Sequence, residues 1–103
     1  MNLRRGEVWD YNPVVRREGR STLRLVISSD AYNDDSRTPD VYAAQIADDD
    51  PGRLLAVRIG DHGWARFDAI ERALKSRLTA KLGEATPEEM DAAVFSLRAV
   101  FDI

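Results

Sequence analysis

The fold of this chain is decided by Arg5-Gly6-Glu7-Val8-Trp9 together with Thr22-Leu23-Arg24-Leu25-Val26-Ile27-Ser28-Ser29-Asp30. Both stretches predict β-strands, the first over residues 6–12 and the second over residues 22–28. Trp9 and Tyr11 are two residues apart, so the first strand has one aromatic face. The second strand is rich in aliphatic residues that suit a pleated, half-buried surface. We therefore expect the fold to begin with a pair of strands.

A charged loop connects these strands over residues 13–21, which is too long for a tight hairpin turn. It contains three arginines and one carboxylate: Arg16, Arg17, Glu18 and Arg20. Arg24 lies in the strand that follows the loop. Binding sites are commonly formed by a charged loop that a rigid pair of strands displays. We expect this loop and the start of the second strand to carry the function.

The chain has 103 residues, of which 44% are apolar and 32% are charged. This length predicts a single domain over residues 1–103, and the apolar fraction is typical of a globular protein rather than a disordered one. No apolar run approaches the roughly 20 residues that cross a bilayer, and the N-terminus lacks the apolar core of a signal peptide. Because the chain has no cysteine, it forms no disulfide, which is consistent with a cytoplasmic location.

The net charge of -3 conceals an uneven distribution. Residues 1–24 carry six arginines and three acids, and residues 52–83 carry seven Lys or Arg and three acids, so these blocks have net charges of +3 and +4. The intervening residues 25–51 and the final residues 84–103 are both acidic. If the two basic blocks converge, they can neutralise several phosphates. The alternative is an ordinary solvated surface of mixed charge.

Apolar patterns predict three further strands: residues 41–47, 54–59 and 64–70. The first of these is apolar nearly throughout, which favours a central position in the sheet. Trp64, Phe67 and Ile70 depart from strict alternation, so a bulge is expected in the last of the three. A single helical turn is expected over residues 29–35, because it begins with residues that cap helices.

Residues 71–82 fit two patterns. Leucines recur every four residues, as in a helix, but the segment up to Leu74 also has the character of a strand. We favour a strand that continues to Leu74, a short turn over residues 75–78 and another strand through Gly83. Together with the strands above, this predicts a small, strongly bent barrel or half-barrel.

The last predicted element is a helix over residues 87–101. Thr86 at the N-cap, Pro87 at the first helical position and Glu89 at the third form a capping box. Apolar residues then recur at helical spacing: Met90, Ala93, Val94, Leu97 and Phe101. We expect this stripe to pack on the sheet, which gives an α+β, mainly β fold with a C-terminal helix.

Recognised catalytic motifs are absent from the sequence, including phosphate-binding glycine loops, nucleophile elbows and zinc-ligand spacings. His62 is expected to be an exposed turn residue rather than a general base. The three aspartates before Pro51 are expected to form a turn rather than a metal site, because no spaced partner ligand accompanies them.

The arginine-rich loop is the strongest candidate for chemistry. Cleavage of a phosphodiester in RNA needs cations that stabilise the charge developing on the phosphate. It also needs a base for the 2′-hydroxyl proton and an acid for the leaving oxygen. Loop arginines and Glu18 can share these tasks without a metal. The alternative is that these charges serve only solubility.

The N-terminal third of the chain resembles the PemK/MazF-type toxins. The resemblance rests on Arg5-Gly6-Glu7-Val8-Trp9, on Pro13, and on Leu25-Val26-Ile27-Ser28-Ser29-Asp30 followed by Asn33. The family pattern combines an Arg-Gly-acid strand ending in an aromatic residue, a loop with Glu and Gly, an apolar strand, and a Ser/Asn-Asp-x-x-Asn turn. The capped C-terminal helix also fits. The resemblance implies an SH3-like small barrel (CcdB/MazF-like) with a C-terminal helix.

The resemblance also implies a function. Members of this family are homodimeric toxins of toxin–antitoxin pairs, and a cognate antitoxin protein neutralises each toxin. MazF-like members are endoribonucleases that cleave single-stranded RNA at short sequences and need no metal or other cofactor.

Two site positions of the family are altered in this chain. The catalytic arginine of the family falls near Thr22, with Leu23 in place of a proline, and its threonine falls on Ala47, which has no hydroxyl. Arg24 lies two residues beyond Thr22, so both point to the same face of a strand. The predicted catalytic residues are Arg24, Arg20 and Glu18, where Glu18 matches the loop glutamate of the family. The predicted RNA-binding residues are Arg16 and Arg17.

A second segment resembles a different activity. Val57-Arg58-Ile59-Gly60-Asp61-His62-Gly63-Trp64 is similar to a segment of CcdB, a gyrase poison that shares the SH3-like barrel. The alternatives to RNA cleavage are therefore inhibition of DNA gyrase and a catalytically inactive binding module that retains the toxin fold. Gyrase poisoning uses a Trp-Gly-Ile ending, whereas this chain ends in Phe101-Asp102-Ile103.

Overall fold

The computed structural model describes residues 2–15, 18–52 and 55–103. Within these ranges the chain forms six strands, two α-helices and one 3-10 turn. The strands are β1 (Glu7–Tyr11), β2 (Leu23–Val26), β3 (Asp40–Ala47), β4 (Ala56–Ile59), β5 (Gly63–Leu74) and β6 (Leu78–Glu84). The helices are α1 (Asp30–Asp34) and α2 (Pro87–Phe101), and the 3-10 turn spans Lys75–Arg77.

The strands pair antiparallel in the order β4-β5-β3-β2-β1-β6. The predicted central position of the third strand is confirmed. The sheet is open at β4 and β6, but it curls until His62, in the β4–β5 turn, lies against Gly83 of β6. A Cβ atom on Gly83 would come within 2.5 Å of Nε2 of His62. His62 is thus a turn residue, as expected, but this contact leaves it only partly exposed. The expected fold, mainly β with a C-terminal helix, is confirmed.

Alternate residues of the strands form two separate apolar clusters, one on each face of the sheet. The face that α2 covers includes Val8, Leu25, Ala44, Ile46 and Phe67. The opposite face includes Leu3, Trp9, Tyr11, Val26 and Leu78. This second face stops being apolar partway along β2 and β3, where Arg24 and Gln45 pair directly across the two strands. A cleft lined by Arg24 and Gln45 lies at that transition.

A bulge in β5 sets the register of the sheet. Ile70 pairs with Ala44 of β3, but the next residue of β3, Gln45, pairs with Arg66. Residues 67–69 therefore have no partner in β3, which confirms the expected bulge. The favoured prediction for residues 71–83 is also confirmed, with a strand to Leu74 and a second strand after the 3-10 turn. The fourth strand begins at Ala56 rather than at residue 54, and residues 53–54 lie outside the described ranges.

The C-terminal helix has the predicted bounds and cap. Oγ1 of Thr86 accepts a hydrogen bond from the Glu89 N–H at 3.1 Å, and Oε1 of Glu89 accepts one from the Thr86 N–H at 2.8 Å. Three residues of the predicted stripe, Met90, Ala93 and Leu97, pack on the sheet as expected. The covered side also includes Ser96 and Val100. The predicted packing of Phe101 is wrong, since 59% of its surface is exposed.

Candidate nucleic-acid site

A cleft of about 410 Å³ opens on the face of the sheet opposite α2. Side chains from β1, β2, β3, β5 and the loop before β2 line it, including Tyr11, Arg20, Thr22, Arg24, Gln45 and Glu71. We call it the arginine cleft. Pro13, Val14 and Val15 add an apolar wall, and the two valines are largely exposed. The cleft thus combines guanidinium groups with apolar and aromatic surface, as sites for single-stranded nucleic acid do.

Arg24 lies in this cleft with only 7% of its surface exposed, and three contacts hold its guanidinium in place. Its Nε donates a hydrogen bond to Oε1 of Glu71, and its Nη1 donates one to the carbonyl of Leu23 at 3.0 Å. The guanidinium carbon also lies 5.0 Å from the centre of the Tyr11 ring. A buried charge is tolerated when it is paired and hydrogen-bonded, and the aromatic ring adds a cation–π attraction. Arg24 is therefore a fixed, oriented cation.

Glu71 and Gln45 complete the polar part of the cleft. The side chain of Glu71 is 31% exposed, so the ion pair with Arg24 is only partly shielded from water. Oε2 of Glu71 lies 3.5 Å from Nε2 of Gln45, which is the long limit of a hydrogen bond. One carboxylate oxygen is thus committed to Arg24, while the other has only this long contact among the described residues.

Arg20 lies at the junction of the arginine cleft with a second cleft of about 290 Å³. The two clefts share Arg20, Ser21 and Gln45. Arg20 is exposed and has no hydrogen-bond or ion-pair partner within the described ranges. Its guanidinium is therefore available to a ligand that spans both clefts.

The second cleft contains another arginine, which is already paired. Arg66 forms an ion pair with Asp68 at 3.0 Å. The hydrogen bonds to Asp68 raise the pKa of Arg66 above its ordinary value, against the opposing effect of burial. Ala47, Asp48 and Asp49 also line this cleft. The two clefts therefore differ in charge, and the exposed guanidinium of Arg20 lies between them.

The sequence-predicted site residues are only partly brought together. Arg20 and Arg24 both line the arginine cleft. Glu18 is exposed in the turn before Arg20 and is not among the residues that line either cleft. Arg16 and Arg17 lie outside the described residues.

The two altered family positions lie at this site. Thr22 lines the arginine cleft, and its hydroxyl donates a hydrogen bond to Oδ1 of Asp10 at 2.6 Å. Ala47, the last residue of β3, lines the second cleft. The hydroxyl of Thr22 is thus occupied, and Ala47 supplies none.

Sequence reasoning missed three residues that line the arginine cleft: Tyr11, Gln45 and Glu71. A signal for Gln45 was present, because it is the one amide side chain in β3 and has apolar residues on both sides. Glu71 had no such signal, because its position depends on the bulge in β5.

The described residues provide neither a metal site nor a membrane span. Within residues 2–15, 18–52 and 55–103, no group of three or more His, Cys, Asp or Glu is arranged to hold a metal ion. Over the same ranges, no helix has the length and apolar character needed to cross a membrane.

Solved structures with the same fold cover nearly the whole chain. An endoribonuclease from a mycobacterial species matches with a TM-score of 0.83 and 24% identity over 100% of this chain and 94% of that chain. MazF from Deinococcus radiodurans matches with a TM-score of 0.78 and 19% identity over 100% and 99% of the two chains. A MazE–MazF complex from the same organism matches with a TM-score of 0.81 and 21% identity over 100% and 99%.

Sequence comparison gives the family. Among curated proteins, no sequence is significantly similar to this chain. A family model described as the PemK-like, MazF-like toxin of type II toxin–antitoxin systems matches residues 4–101. Because this match spans almost the entire sequence, the chain belongs to the PemK/MazF-like toxin family.

Proposed function

We propose that this protein is the toxin of a type II toxin–antitoxin pair and that it cleaves single-stranded RNA without a metal ion. The observation that carries the proposal is the pair of guanidinium groups, Arg20 and Arg24, in one cleft of a MazF-like fold. Cations placed at a phosphate stabilise the negative charge that develops as the phosphodiester breaks. The apolar wall and Tyr11 supply surface on which a base can stack.

The two arginines have different tasks in this proposal. Arg24 is fixed by Glu71, Leu23 and Tyr11, so it orients the phosphate without losing side-chain freedom on binding. Arg20 is exposed and unpaired within the described ranges, so it closes on the ligand from the loop. Arg16 and Arg17 would add salt-sensitive attraction for the RNA backbone. The sequence predicts Glu18 as the proton carrier, and Glu18 is exposed in the turn before Arg20 but lines neither cleft.

The proposed partners follow from the family. Solved structures of this fold include an endoribonuclease from a mycobacterial species in complex with its cognate antitoxin and MazE–MazF complexes from Deinococcus radiodurans. By analogy, this chain would act in the cytoplasm as a homodimer that an antitoxin protein neutralises. Light scattering of the purified protein measures the oligomeric state, and co-purification with the protein encoded by the neighbouring gene tests antitoxin binding.

RNA cleavage is tested with purified protein, a long single-stranded RNA and excess chelator. The expected result is fragmentation at a short recurring sequence, with the rate falling as salt screens the arginines. Charge reversal at both Arg20 and Arg24 is expected to abolish cleavage. RNA that stays intact at every protein concentration would refute the proposed enzyme and leave a binding module with the toxin fold.

One observation favours a second candidate, inhibition of DNA gyrase. Asp102 has the left-handed backbone conformation that glycine prefers (φ 54°), and it lies between the exposed residues Phe101 and Ile103. Asp102 thus has a backbone conformation that suits glycine, at the position of the glycine in the Trp-Gly-Ile ending used by CcdB, with a carboxylate added. A supercoiling assay with stoichiometric protein tests this candidate, and unchanged gyrase activity would remove it.

A further inference from the structure

Glu71 is the carboxylate that lines the arginine cleft. Among the described residues of this cleft, the side chains that can carry charge are Tyr11, Arg20, Arg24 and Glu71. A guanidinium carries hydrogen-bond donors and no acceptor, and the Tyr11 ring lies against the Arg24 guanidinium, so a carboxylate is the group here suited to accept a proton. The loop carboxylate of Glu18 lies outside the set of lining residues. Glu71 is therefore placed where a proton acceptor is needed.

The geometry of Glu71 is that of an oriented base. Oε1 accepts the hydrogen bond from Nε of Arg24, which fixes the plane of the carboxylate. Oε2 makes only the 3.5 Å contact with Gln45 among the described residues, so its lone pairs remain available. A base whose position is set by a third group is the common arrangement in active sites that abstract a proton. The hydroxyl that the family places at Ala47 is absent, so another group must take part.

We infer that Glu71 is the general base of RNA cleavage, an inference that rests on the function proposed above. The 2′-hydroxyl of the RNA gives its proton to Oε2 of Glu71, and the 2′ oxygen forms a bond to phosphorus. The bond between phosphorus and the 5′ oxygen breaks, and the leaving oxygen takes a proton from water. The products are a 2′,3′-cyclic phosphate end and a 5′-hydroxyl end. Arg20 and Arg24 stabilise the charge on the phosphate during this step.

The test compares Glu71→Gln with Glu18→Gln, the rival carboxylate, and with Glu88→Gln, an exposed control outside both clefts. All are assayed by single-turnover cleavage of a single-stranded RNA with excess chelator. Glutamine keeps the size of the side chain and an oxygen for Arg24, but it cannot accept the proton. Glu71→Gln is expected to lower the rate at least about 10²-fold. The wild-type rate is expected to fall at acid pH, where a carboxylate base becomes protonated, and Glu71→Gln is expected to remove this fall. Glu88→Gln is expected to cleave at close to the wild-type rate, and Glu18→Gln is expected to be slowed less than Glu71→Gln.

Binding and folding are measured on the same variants. Glu71→Gln is expected to keep the wild-type affinity for a 2′-O-methyl RNA of the same sequence, which cannot react. If Glu71→Gln lowers the melting temperature, Glu71→Asp is the second variant to measure. Aspartate keeps the charge, so this variant is expected to cleave more slowly than the wild type but with the same dependence on acid pH. A role confined to the ion pair predicts instead that rate, binding and melting temperature fall together.

Three outcomes separate the inference from the proposed function. Wild-type cleavage by Glu71→Gln would overturn the inference and leave the proposed function standing. Loss of cleavage in Glu18→Gln but not in Glu71→Gln would overturn it in favour of the loop carboxylate. Failure of the wild type to cleave any RNA would remove the proposed function and the inference together.

Discussion

The two faces of the sheet are made by alternate residues of the same strands, yet they differ in what they tolerate. The face under α2 is apolar from β1 to β5, and its members include Leu25, Ala44 and Phe67. The opposite face is apolar near Trp9 and Val26 but becomes charged at Arg24 and Glu71. One strand, β2, thus contributes Leu25 to the first face and Arg24 to the second.

This difference shows where a small fold can place chemistry. A helix that covers one face demands close packing there, because each missing methylene leaves a cavity. The uncovered face can carry charged side chains in place of apolar ones wherever it is exposed to solvent. Stability and activity should therefore respond to different faces, and substitutions on each face test that separation.

The largest effect is expected from Phe67→Ala on the helix-covered face. Phe67 is 1% exposed, and truncation of a buried phenylalanine removes about 3–5 kcal/mol from the free energy of unfolding. Urea denaturation measures this loss. Phe95→Ala is the matched control, because Phe95 is 75% exposed on α2 and its truncation should change stability by less than about 0.5 kcal/mol. Equal losses of stability in both variants would show that burial beneath the helix does not decide the cost of truncation.

The next effect is expected from Arg20→Ala on the cleft face. Loss of a cation that stabilises the transition state should slow RNA cleavage about 10²-fold. The free energy of unfolding should stay within about 0.5 kcal/mol of the wild type, because Arg20 is exposed and has no partner in the described ranges. Arg37→Ala is the control, since Arg37 is also exposed but lies outside both clefts. If Arg37→Ala slows cleavage as much as Arg20→Ala, the effect is one of net charge.

Elements set by local rules were predictable from the sequence. The capping box around Thr86 fixed the start of α2, and its observed bounds, Pro87–Phe101, agree with the prediction. The strands followed from alternation, and the irregular spacing around Phe67 indicated the bulge. The packing of Phe101 was mispredicted, because helical spacing does not say how far the sheet extends beneath the last turn of a helix, and the buried residues of α2 are Ala93 and Ser96.

The site was less predictable, because its contacts join distant parts of the chain. Arg20 and Arg24 could be proposed from their place in and after a basic loop. Glu71 is 47 residues from Arg24 in the sequence, and the two meet only because the bulge in β5 fixes the pairing of Glu71 with Ala43. Register across three strands cannot be read from one sequence, so the partner of Arg24 was not foreseeable.

A smaller effect is expected from Thr86→Ala, which weakens the helix that covers one face and leaves the cleft on the other face unchanged. It tests whether stability and activity depend on different faces of the sheet. Oγ1 of Thr86 accepts the Glu89 N–H at 3.1 Å, and loss of such a cap costs about 1 kcal/mol of stability. Urea denaturation measures the loss, and the RNA cleavage rate should not change. Thr86→Ser keeps the hydroxyl and should be close to the wild type. A slower cleavage rate in a fully folded Thr86→Ala protein would show that the two faces are coupled.

The smallest effect concerns Glu7, a buried carboxylate on the cleft-side face but far from the cleft. Burial alone would raise the pKa of Glu7, but the Arg4 N–H, the Trp9 indole N–H and Lys81 together lower it below the ordinary value of 4.5. A lowered pKa in the folded state means that the charged carboxylate adds stability above about pH 4.5, and that this stability is lost as pH falls through the folded-state value.

Glu7→Gln should therefore flatten the decline in stability below about pH 4.5, as measured by urea denaturation at a series of pH values. Trp9→Phe removes one of the donors and should flatten the decline in part. If Glu7→Gln leaves the acid decline as steep as in the wild type, the donors around Glu7 do not favour its charged form. The contrast on this face, between a carboxylate at Glu7 that stabilises the fold and a carboxylate at Glu71 that accepts a proton, would then be wrong for Glu7.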